Sequence, residues 1–494
     1  MRAVFRADAS REIGSGHVMR CLTLADALST IGWDCAFALR SESREVVPAL
    51  DQSGHELLTL EGGNGDEAAA MSSHWQAGVE WLVVDHYRRD RRFEAACRPW
   101  ARNIMVLDDL ADRPHDCDLL LDQTLGRGAE DYTALVPSDC RLLLGTRYAL
   151  LRPEFRAMRQ RDTAAAQTRQ APFRLLITLG GTDPENMTEI CIDAVQRCGA
   201  QMQVDVIAGY GFAALTRLRG RLEGLSGFQL HVAPDNIGAL MSAADLAIGA
   251  AGTTSWERCC LGLPTVMLVL ADNQLENARQ LSISGAAAVV EGDGNDMADA
   301  IAAVLRDLHG DRDRLHEMSK RAAAICDGQG SLRARLALLP DQATKDGLGM
   351  HLRLAEARDE AILLHWQRQP SIRALARNPA IPTEAEHRIW FAGRMRSESS
   401  FITMIEHGRK VAGMLRLDRL HVGDQNEVFE VSIVVDEEHR GAGVGLAALR
   451  QIRAWMPTAE FRAETLPNND PSIALFRTAG YRALKGNLLH STAA

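Results

Sequence analysis

Residues Ser10–Cys21 read SREIGSGHVMRC. A short apolar run, Ala3–Phe5, precedes them and an amphipathic run, Leu22–Leu28, follows, which is the order strand, glycine turn, helix. Gly14 and Gly16 allow a tight turn and a close approach of backbone to ligand. The helix presents free N–H groups and the positive end of its dipole, a seat for a phosphate or another oxyanion. His17 stands at the mouth of the turn and is the residue there able to exchange a proton near neutral pH. Taken alone, it is either a polar residue that starts a helix or a proton-transfer group.

The chain on either side extends this pattern. Over residues 1–155 the strand candidates are Arg2–Arg6, Cys35–Leu39, Trp81–Val84, Ile104–Leu107, Leu119–Leu121 and Arg141–Leu144. Helical stretches separate most of them, which predicts a parallel α/β sheet. Ligands of such sheets sit beyond the C-terminal strand ends. Asp8, Asp85-His86-Tyr87 and Asp108-Asp109 each follow a strand and are therefore candidate site residues, although an Asp so placed is equally a helix cap. Residues 156–171 are polar and read as a linker or an exposed crossover helix.

A second α/β unit spans 172–338. Its first strand, Arg174–Leu179, leads into Gly180-Gly181-Thr182-Asp183 and a helix predicted from Pro184, again a phosphate seat. Val204–Ala208, Gln229–Val232, Leu246–Ile248 and Thr265–Leu270 are further strands. Before the last of these, Gly249 and Gly252 turn the chain into a short helix that begins at Thr253 and Thr254. Glu257, one turn in, is placed to accept two ribose hydroxyls, or is an exposed helix glutamate. Asn273 and Asn277, with Asp272 and Gln274, crowd the start of the next helix, either for sugar or base recognition or as caps. Residues 296–338 read as terminal helices. Two units of similar size, each with a glycine turn facing a helix, predict a ligand in the cleft between them, the plan of the glycosyltransferase-B architecture.

The chain has 494 residues, 46% hydrophobic and 24% charged, an ordinary globular composition with room for about three domains. A net charge of −10 argues against a general nucleic-acid binder, while a local pocket for an anionic small ligand stays possible. The opening MRAVFRADAS lacks the apolar core of a signal peptide. No apolar run approaches the roughly 18 residues of a membrane helix. The expectation is a cytoplasmic protein without a membrane segment. Ten cysteines lie between Cys21 and Cys326 with no Cys-x-x-Cys pair. That is neither a disulfide framework nor a zinc pattern; the thiols read as small apolar core groups, and no metal is expected.

After LPDQATKDGLGM, Leu339–Met350, the pattern changes, and residues 339–349 read as a linker. His351–Leu375 is a strand followed by a helix, and Ser400–Leu420 is two strands joined at His407-Gly408. Val428–Val435 is a strand rich in β-branched residues. It runs into Arg440-Gly441-Ala442-Gly443-Val444-Gly445 and a helix from Leu446, an arrangement that offers consecutive backbone N–H groups to a pyrophosphate. Dinucleotide folds share this glycine spacing, but there it opens a βαβ unit, whereas here it follows a β-meander. Glu430 on the preceding strand is either a base or a strand-surface charge.

SREIGSGHVMRC, with VVDHY, LDD, LLGTRYALLRPEF, LGGTDPENMT, GTTSWERCCLGLPTVML and DNQLENA, resembles the UDP-2,4-diacetamido-2,4,6-trideoxy-β-L-altropyranose hydrolases of pseudaminic acid synthesis over residues 1–335. The resemblance implies a glycosyltransferase-B fold of two Rossmann-like domains, similar to the lipid II-forming N-acetylglucosaminyltransferase. It implies that water attacks the anomeric carbon, UDP leaves and the configuration inverts. His17 matches the catalytic histidine, and Gly14 and Gly16 match its loop. Gly180, Gly181 and the Thr253–Glu257 helix match the UDP half, with Glu257 at the ribose. Asp8, Asp85 and Asp109 are left as alternatives for orienting His17 or binding sugar.

Arg440, Gly443 and Gly445 match the Gln/Arg-x-x-Gly-x-Gly/Ala pattern of GCN5-related N-acetyltransferases, an α+β fold. NNDPSIALFRTAGY, starting at Asn468 and Asn469, resembles that family's late helix and final strand. The opening of this region, together with EAEHRIWF, resembles the subgroup that acetylates UDP-4-amino-4,6-dideoxy-N-acetyl-β-L-altrosamine; the resemblance covers about 350–490, and the domain is read as 350–492. Acetyl-CoA is the implied cosubstrate, with Val435, Arg440, Gly441, Gly443, Val444, Gly445 and Asn468 as its contacts. Glu430 is the candidate base, acting through water, and the resemblance puts His387 and Trp390 on the acceptor side. One position departs: Phe476 stands where many of these enzymes carry a tyrosine acid. The combined expectation is a bifunctional enzyme that acetylates a UDP-amino sugar and then hydrolyses UDP from it. The alternative is a UDP-sugar glycosyltransferase with a non-catalytic acyl-CoA-binding module.

Overall fold

The apolar runs of the first 150 residues pair edge to edge as β1 (Arg2–Ala7), β2 (Asp34–Arg40), β3 (Glu56–Leu60), β4 (Val79–Asp85), β5 (Ala101–Leu107), β6 (Leu119–Asp122) and β7 (Arg141–Leu144). In this computed structural model they form one parallel sheet in the order β3-β2-β1-β4-β5-β6-β7. The structure describes residues 1–61, 66–162, 172–183, 185–209, 211–212, 214–291, 294–408, 410–422 and 427–492, with backbone only at 160–162, 294–295 and 421–422. β1 is central, and Phe5 sits between Phe37 and Val83 in register. Its residues are buried because helices cover both faces, which is why the strand reads as a continuous apolar run. β3, ELLTL, was not among the strand candidates. It is an edge strand, half-buried and only five residues long, so it carries little periodic signal.

A second parallel sheet follows the same logic: β8 (Arg174–Thr178), β9 (Gln203–Ala208), β10 (Phe228–Val232), β11 (Leu246–Ala250), β12 (Thr265–Leu268) and β13 (Ala287–Val290), in the order β10-β9-β8-β11-β12-β13. β13, also unforeseen, is an edge strand. The stretch 156–171 holds the end of the helix Pro153–Asp162, and 163–171 lie outside the described residues. The helix expected from Pro184 starts at Met187, and Pro184 itself is outside the described residues.

The chain divides into two compact units, Met1–Ala334 and Arg335–Ala494. The first contains both parallel sheets. The second is an eight-stranded mixed sheet, β14 (Gln342–Ala343), β15 (Gly349–Leu354), β16 (Ser400–His407), β17 (Lys410–Val422), β18 (Glu427–Val435), β19 (Glu460–Glu464), β20 (Arg482–Lys485) and β21 (Leu488–Ser491). Part of the segment read as a linker is β14, paired antiparallel with the start of β15. β18 and β19 are parallel, but their pairing ends at Glu430↔Arg462. β18 continues to Val435, held on its other side by β17. The two strands therefore part, and the β19-facing edge of Val431–Val435 is left open. All ten cysteines are free thiols, nine of them buried. Among the described residues, no helix is long and apolar enough to cross a membrane.

Candidate functional sites

In the first unit the quoted stretch folds as read: Gly14 turns at φ +75° and the helix Gly16–Ser29 begins directly after it. Among the described residues no side chain caps this helix and its first turn has no acidic residue, so its first N–H groups stay available to an anion. Two glycines allow the α/β halves of this unit to approach. A Cβ on Gly16 would stand 3.3 Å from Thr253 Oγ1, and one on Gly181 3.3 Å from Ser15 Oγ.

β4 ends in Asp85, which is fully buried, and this carboxylate organises the site. His17 Nδ1 lies 2.5 Å from Asp85 Oδ1. Arg20, one helical turn beyond His17, donates from Nε to Asp85 Oδ2 at 2.6 Å and from Nη2 to Oδ1 at 2.7 Å. It also reaches Asp109 Oδ2 at 3.2 Å. Burial alone would raise the Asp85 carboxyl; Arg20 and then His17 outweigh it and hold the group well below the usual carboxylate range. A carboxylate that stays ionised accepts the Nδ1 proton and leaves His17 Nε2 with its lone pair, the tautomer a general base needs. Tyr87 packs edge-on against His17, ring centroids 4.5 Å apart. Its hydroxyl donates to Asp109 Oδ2 at 3.4 Å and accepts from Asn273 Nδ2 at 2.8 Å. Asn273 comes from the other half, so this bond crosses the cleft.

Of the three aspartates left open by the sequence, Asp85 touches His17 and Asp109 touches its supporters. Asp8 is elsewhere: its oxygens are taken by buried Arg6, by His86 and by the Arg40 backbone N–H. Arg20 was not singled out, although its i, i+3 spacing from His17 puts both on one helix face.

Between the two halves, a cavity of about 40 Å³ is lined by Gly16, Arg20, Gln123 and Arg152 on one side and by Thr253 and Glu257 on the other, among others. Burial pushes the Glu257 carboxyl up to about 7, against the pull of Arg152 and Arg258; the Arg152 guanidinium is 3.6 Å away. Thr254 Oγ1 accepts from Arg258 at 3.2 Å, and Asn277 donates to Ala251 O at 3.4 Å, its own buried Oδ1 having no partner among the described residues. Gly180 turns at φ +99°. The helix behind it, however, is already capped: Asp183 accepts from the Met187 and Thr188 backbone N–H groups at 2.9 Å each. A carboxylate of the chain itself thus occupies the phosphate seat read there.

In the second unit the glycine loop is set by backbone conformation. Gly441 and Gly443 have φ of +84° and +87°, and the helix Val444–Trp455 starts at Gly443. Gly445 is tight for a different reason, since a Cβ there would meet Leu475 at 3.1 Å and Val435 at 3.5 Å. Val435 ends the open edge of β18 and Val444 is buried. Arg440 turns back on its own loop, donating from Nε to Val435 O at 3.2 Å and pairing with Glu437 at 3.3 Å. Asn468 is exposed, and its neighbour Asn469 caps the helix Asp470–Thr478. Glu430 lies where β18 and β19 part, paired with Arg377, which also holds Glu464 of β19 at 2.6 Å. His387 is buried against Trp390 and Phe391. Phe476 is buried and packs on Tyr481 at 5.0 Å between ring centroids. Tyr481 stands immediately before β20, its buried hydroxyl without a partner among the described residues. Arg453, in the last turn of the helix that starts at Gly443, is the charged group that acts on it electrostatically.

Comparison with known proteins agrees with these two architectures. Residues 175–330 match the model of the glycosyltransferase family 28 C-terminal domain, and residues 363–481 that of the acetyltransferase (GNAT) family. The UDP-2,4-diacetamido-2,4,6-trideoxy-β-L-altropyranose hydrolase of Campylobacter jejuni is 26% identical over 287 residues, 58% of this chain and 97% of that protein. An uncharacterized protein of Methanocaldococcus jannaschii is 21% identical across 98% of this chain and 97% of its own length. The Bacillus subtilis protein YwnH is 31% identical over 137 residues, 27% of this chain and 83% of YwnH. The chain belongs to the acetyltransferase (GNAT) family through its C-terminal unit, and its N-terminal region, of glycosyltransferase-B type, resembles the UDP-diacetamido-altropyranose hydrolase.

Proposed function

We propose that the chain is a bifunctional enzyme that N-acetylates the 4-amino group of UDP-4-amino-4,6-dideoxy-N-acetyl-β-L-altrosamine and then hydrolyses UDP from the diacetamido product. The observation that carries the hydrolase half is the His17–Asp85–Arg20 cluster at an uncapped helix N-terminus. In the proposed reaction a water oxygen attacks the anomeric carbon while its proton passes to His17 Nε2. The anomeric C–O bond breaks and its electron pair leaves with the UDP diphosphate, giving inversion. The positive end of the Gly16–Ser29 helix favours the charge that develops there. Asp85 keeps the Nδ1 proton in place and stabilises the imidazolium. Glu257, beside Thr253 on the cavity wall, is the proposed ribose contact, and Tyr87, Asp109, Asn273 and Asn277 are proposed to surround the sugar.

For the second unit, bound acetyl-CoA would supply the acetyl thioester. The N–H groups of Gly441–Gly445 are proposed to receive its diphosphate, and the open edge of Val431–Val435 its extended arm. Glu430 is the proposed base for the acceptor amine, which attacks only when unprotonated. The test is to incubate the full-length protein with the amino-sugar nucleotide, with and without acetyl-CoA, and to follow acetylation by mass spectrometry and UDP by phosphorus NMR. UDP release that depends on acetyl-CoA supports both activities in this order. Release of UDP only when an acceptor sugar is added would replace the hydrolase by a glycosyltransferase.

A further inference from the structure

The segment between the two matched regions is not idle chain. β14 and β15 form a hairpin whose turn, Thr344–Leu348, is fixed on two sides. Its own hydrogen bonds tie Thr344 to Asp346 and Leu348. His407 of β16 joins it through Nε2, 3.1 Å from both Asp346 Oδ1 and Thr344 Oγ1, and meets His439 through Nδ1 at 3.0 Å. The backbone then makes one direct bond to the glycine loop: Lys345 N–H donates to Ala442 O at 2.8 Å. The Lys345 stem lies along the loop, so that a Cβ on Gly443 would stand 3.3 Å from Lys345 Cγ and 3.8 Å from Cδ. Gly443 is the residue from which the helix Val444–Trp455 starts.

Resting on the acyl-CoA reading of that loop, we propose that Lys345 supplies the cation for the CoA diphosphate, so that the segment before the acetyltransferase fold completes its cofactor site. Three observations support the assignment. The hairpin holds the lysine beside the end of the helix where backbone N–H groups point outward. Arg440, the arginine of the glycine motif, is committed to Val435 O and Glu437, whereas Lys345 is exposed and no carboxylate among the described residues pairs with its ammonium. Lysine is also rare here: the chain has four, at 320, 345, 410 and 485. A compact ammonium suits a diphosphate as a point charge. Asp346, next to it in the chain, is engaged by His407, and Glu437 of the glycine-loop approach by Arg440.

The experiment uses the full-length protein and isothermal titration with CoA and with dephospho-CoA, which keeps the diphosphate but lacks the 3′-phosphate. Lys345→Ala is expected to weaken both ligands by roughly tenfold, the loss of one charge-assisted contact, and Lys345→Arg to recover part of it. Because only four lysines are present, labelling with an amine-reactive reagent and mass spectrometry gives a second readout, and either ligand should protect Lys345. Unchanged affinity in Lys345→Ala, or a loss confined to CoA with dephospho-CoA unaffected, would overturn the diphosphate assignment. Failure of the unaltered protein to bind either ligand would instead defeat the acyl-CoA reading itself.

Discussion

Around His17 the working groups are buried side chains that hold one another in place, whereas around Gly443 they are backbone groups held by unusual dihedral angles. Asp85 is held between Arg20 and His17, and the buried Arg20 is in turn held by Asp85 and Asp109. In the second site the chain turns through φ +84° and +87° at Gly441 and Gly443, and Arg440 ties the loop back to Val435 O. The contrast teaches where each site is vulnerable. The first is expected to fail when a charge is removed, and the second when a side chain is added.

Asp85→Asn should give the largest effect. It removes the negative charge that fixes the His17 tautomer and leaves buried Arg20 with Asp109 as its remaining carboxylate. We expect a loss of about 3 kcal/mol in stability and a fall of at least about 100-fold in UDP release, read by thermal unfolding and phosphorus NMR, with CoA affinity unaffected. Coupled loss of CoA binding would break the separation of the two sites.

Glu257 sharpens the same contrast through pH. Its folded pKa, about 7, lies above the ordinary 4.5, so the protonated acid is favoured in the native state. The associated stability is fully present below the unfolded value and is lost as pH rises through about 7. Relative to Glu257→Gln, the wild-type protein should therefore lose up to about 3 kcal/mol between pH 4.5 and pH 8, measured by denaturant unfolding. A difference that does not change with pH would contradict the burial of this carboxyl.

Gly443→Ala reverses the pattern. An alanine at φ +87° costs about 1–2 kcal/mol and crowds the Lys345 stem. CoA affinity should fall by roughly tenfold in titration while UDP release from the diacetamido nucleotide is untouched. Tyr87→Phe is the mildest change. It deletes a hydroxyl that links Asp109 to Asn273 while leaving the ring on His17. The expected cost is about 1 kcal/mol, seen as a several-fold rise in KM for the nucleotide sugar.

The same contrast explains how much the sequence disclosed. The glycine loops were legible because glycine spacing encodes backbone conformation locally. The parallel sheets were legible in their central strands, where burial on both faces makes runs such as Trp81–Val84 continuously apolar. Edge strands Glu56–Leu60 and Ala287–Val290 were not, since short, half-buried strands lack a period to detect. The partner of His17 was hidden for a different reason: Asp8, Asp85 and Asp109 all follow strands, and only the strand order, with β4 beside β1, brings Asp85 to His17. Likewise Asp183 looked like part of a phosphate seat, and only its bonds to Met187 and Thr188 reveal it as the cap. The segment at 342–345 read as polar linker because a two-residue strand has no sequence signature, yet its pairing places Lys345 on the glycine loop.

The central claim is that one chain performs two consecutive steps with separate chemistry, the second dependent on His17. The most direct measurement is a time course of the His17→Ala protein with UDP-4-amino-4,6-dideoxy-N-acetyl-β-L-altrosamine and acetyl-CoA, followed by mass spectrometry and phosphorus NMR beside the unaltered protein. The account predicts that the variant acetylates at the normal rate and accumulates the diacetamido nucleotide, with UDP release slowed by about 10³-fold. UDP release at the unaltered rate from the variant would contradict it, as would the absence of acetylation in both proteins.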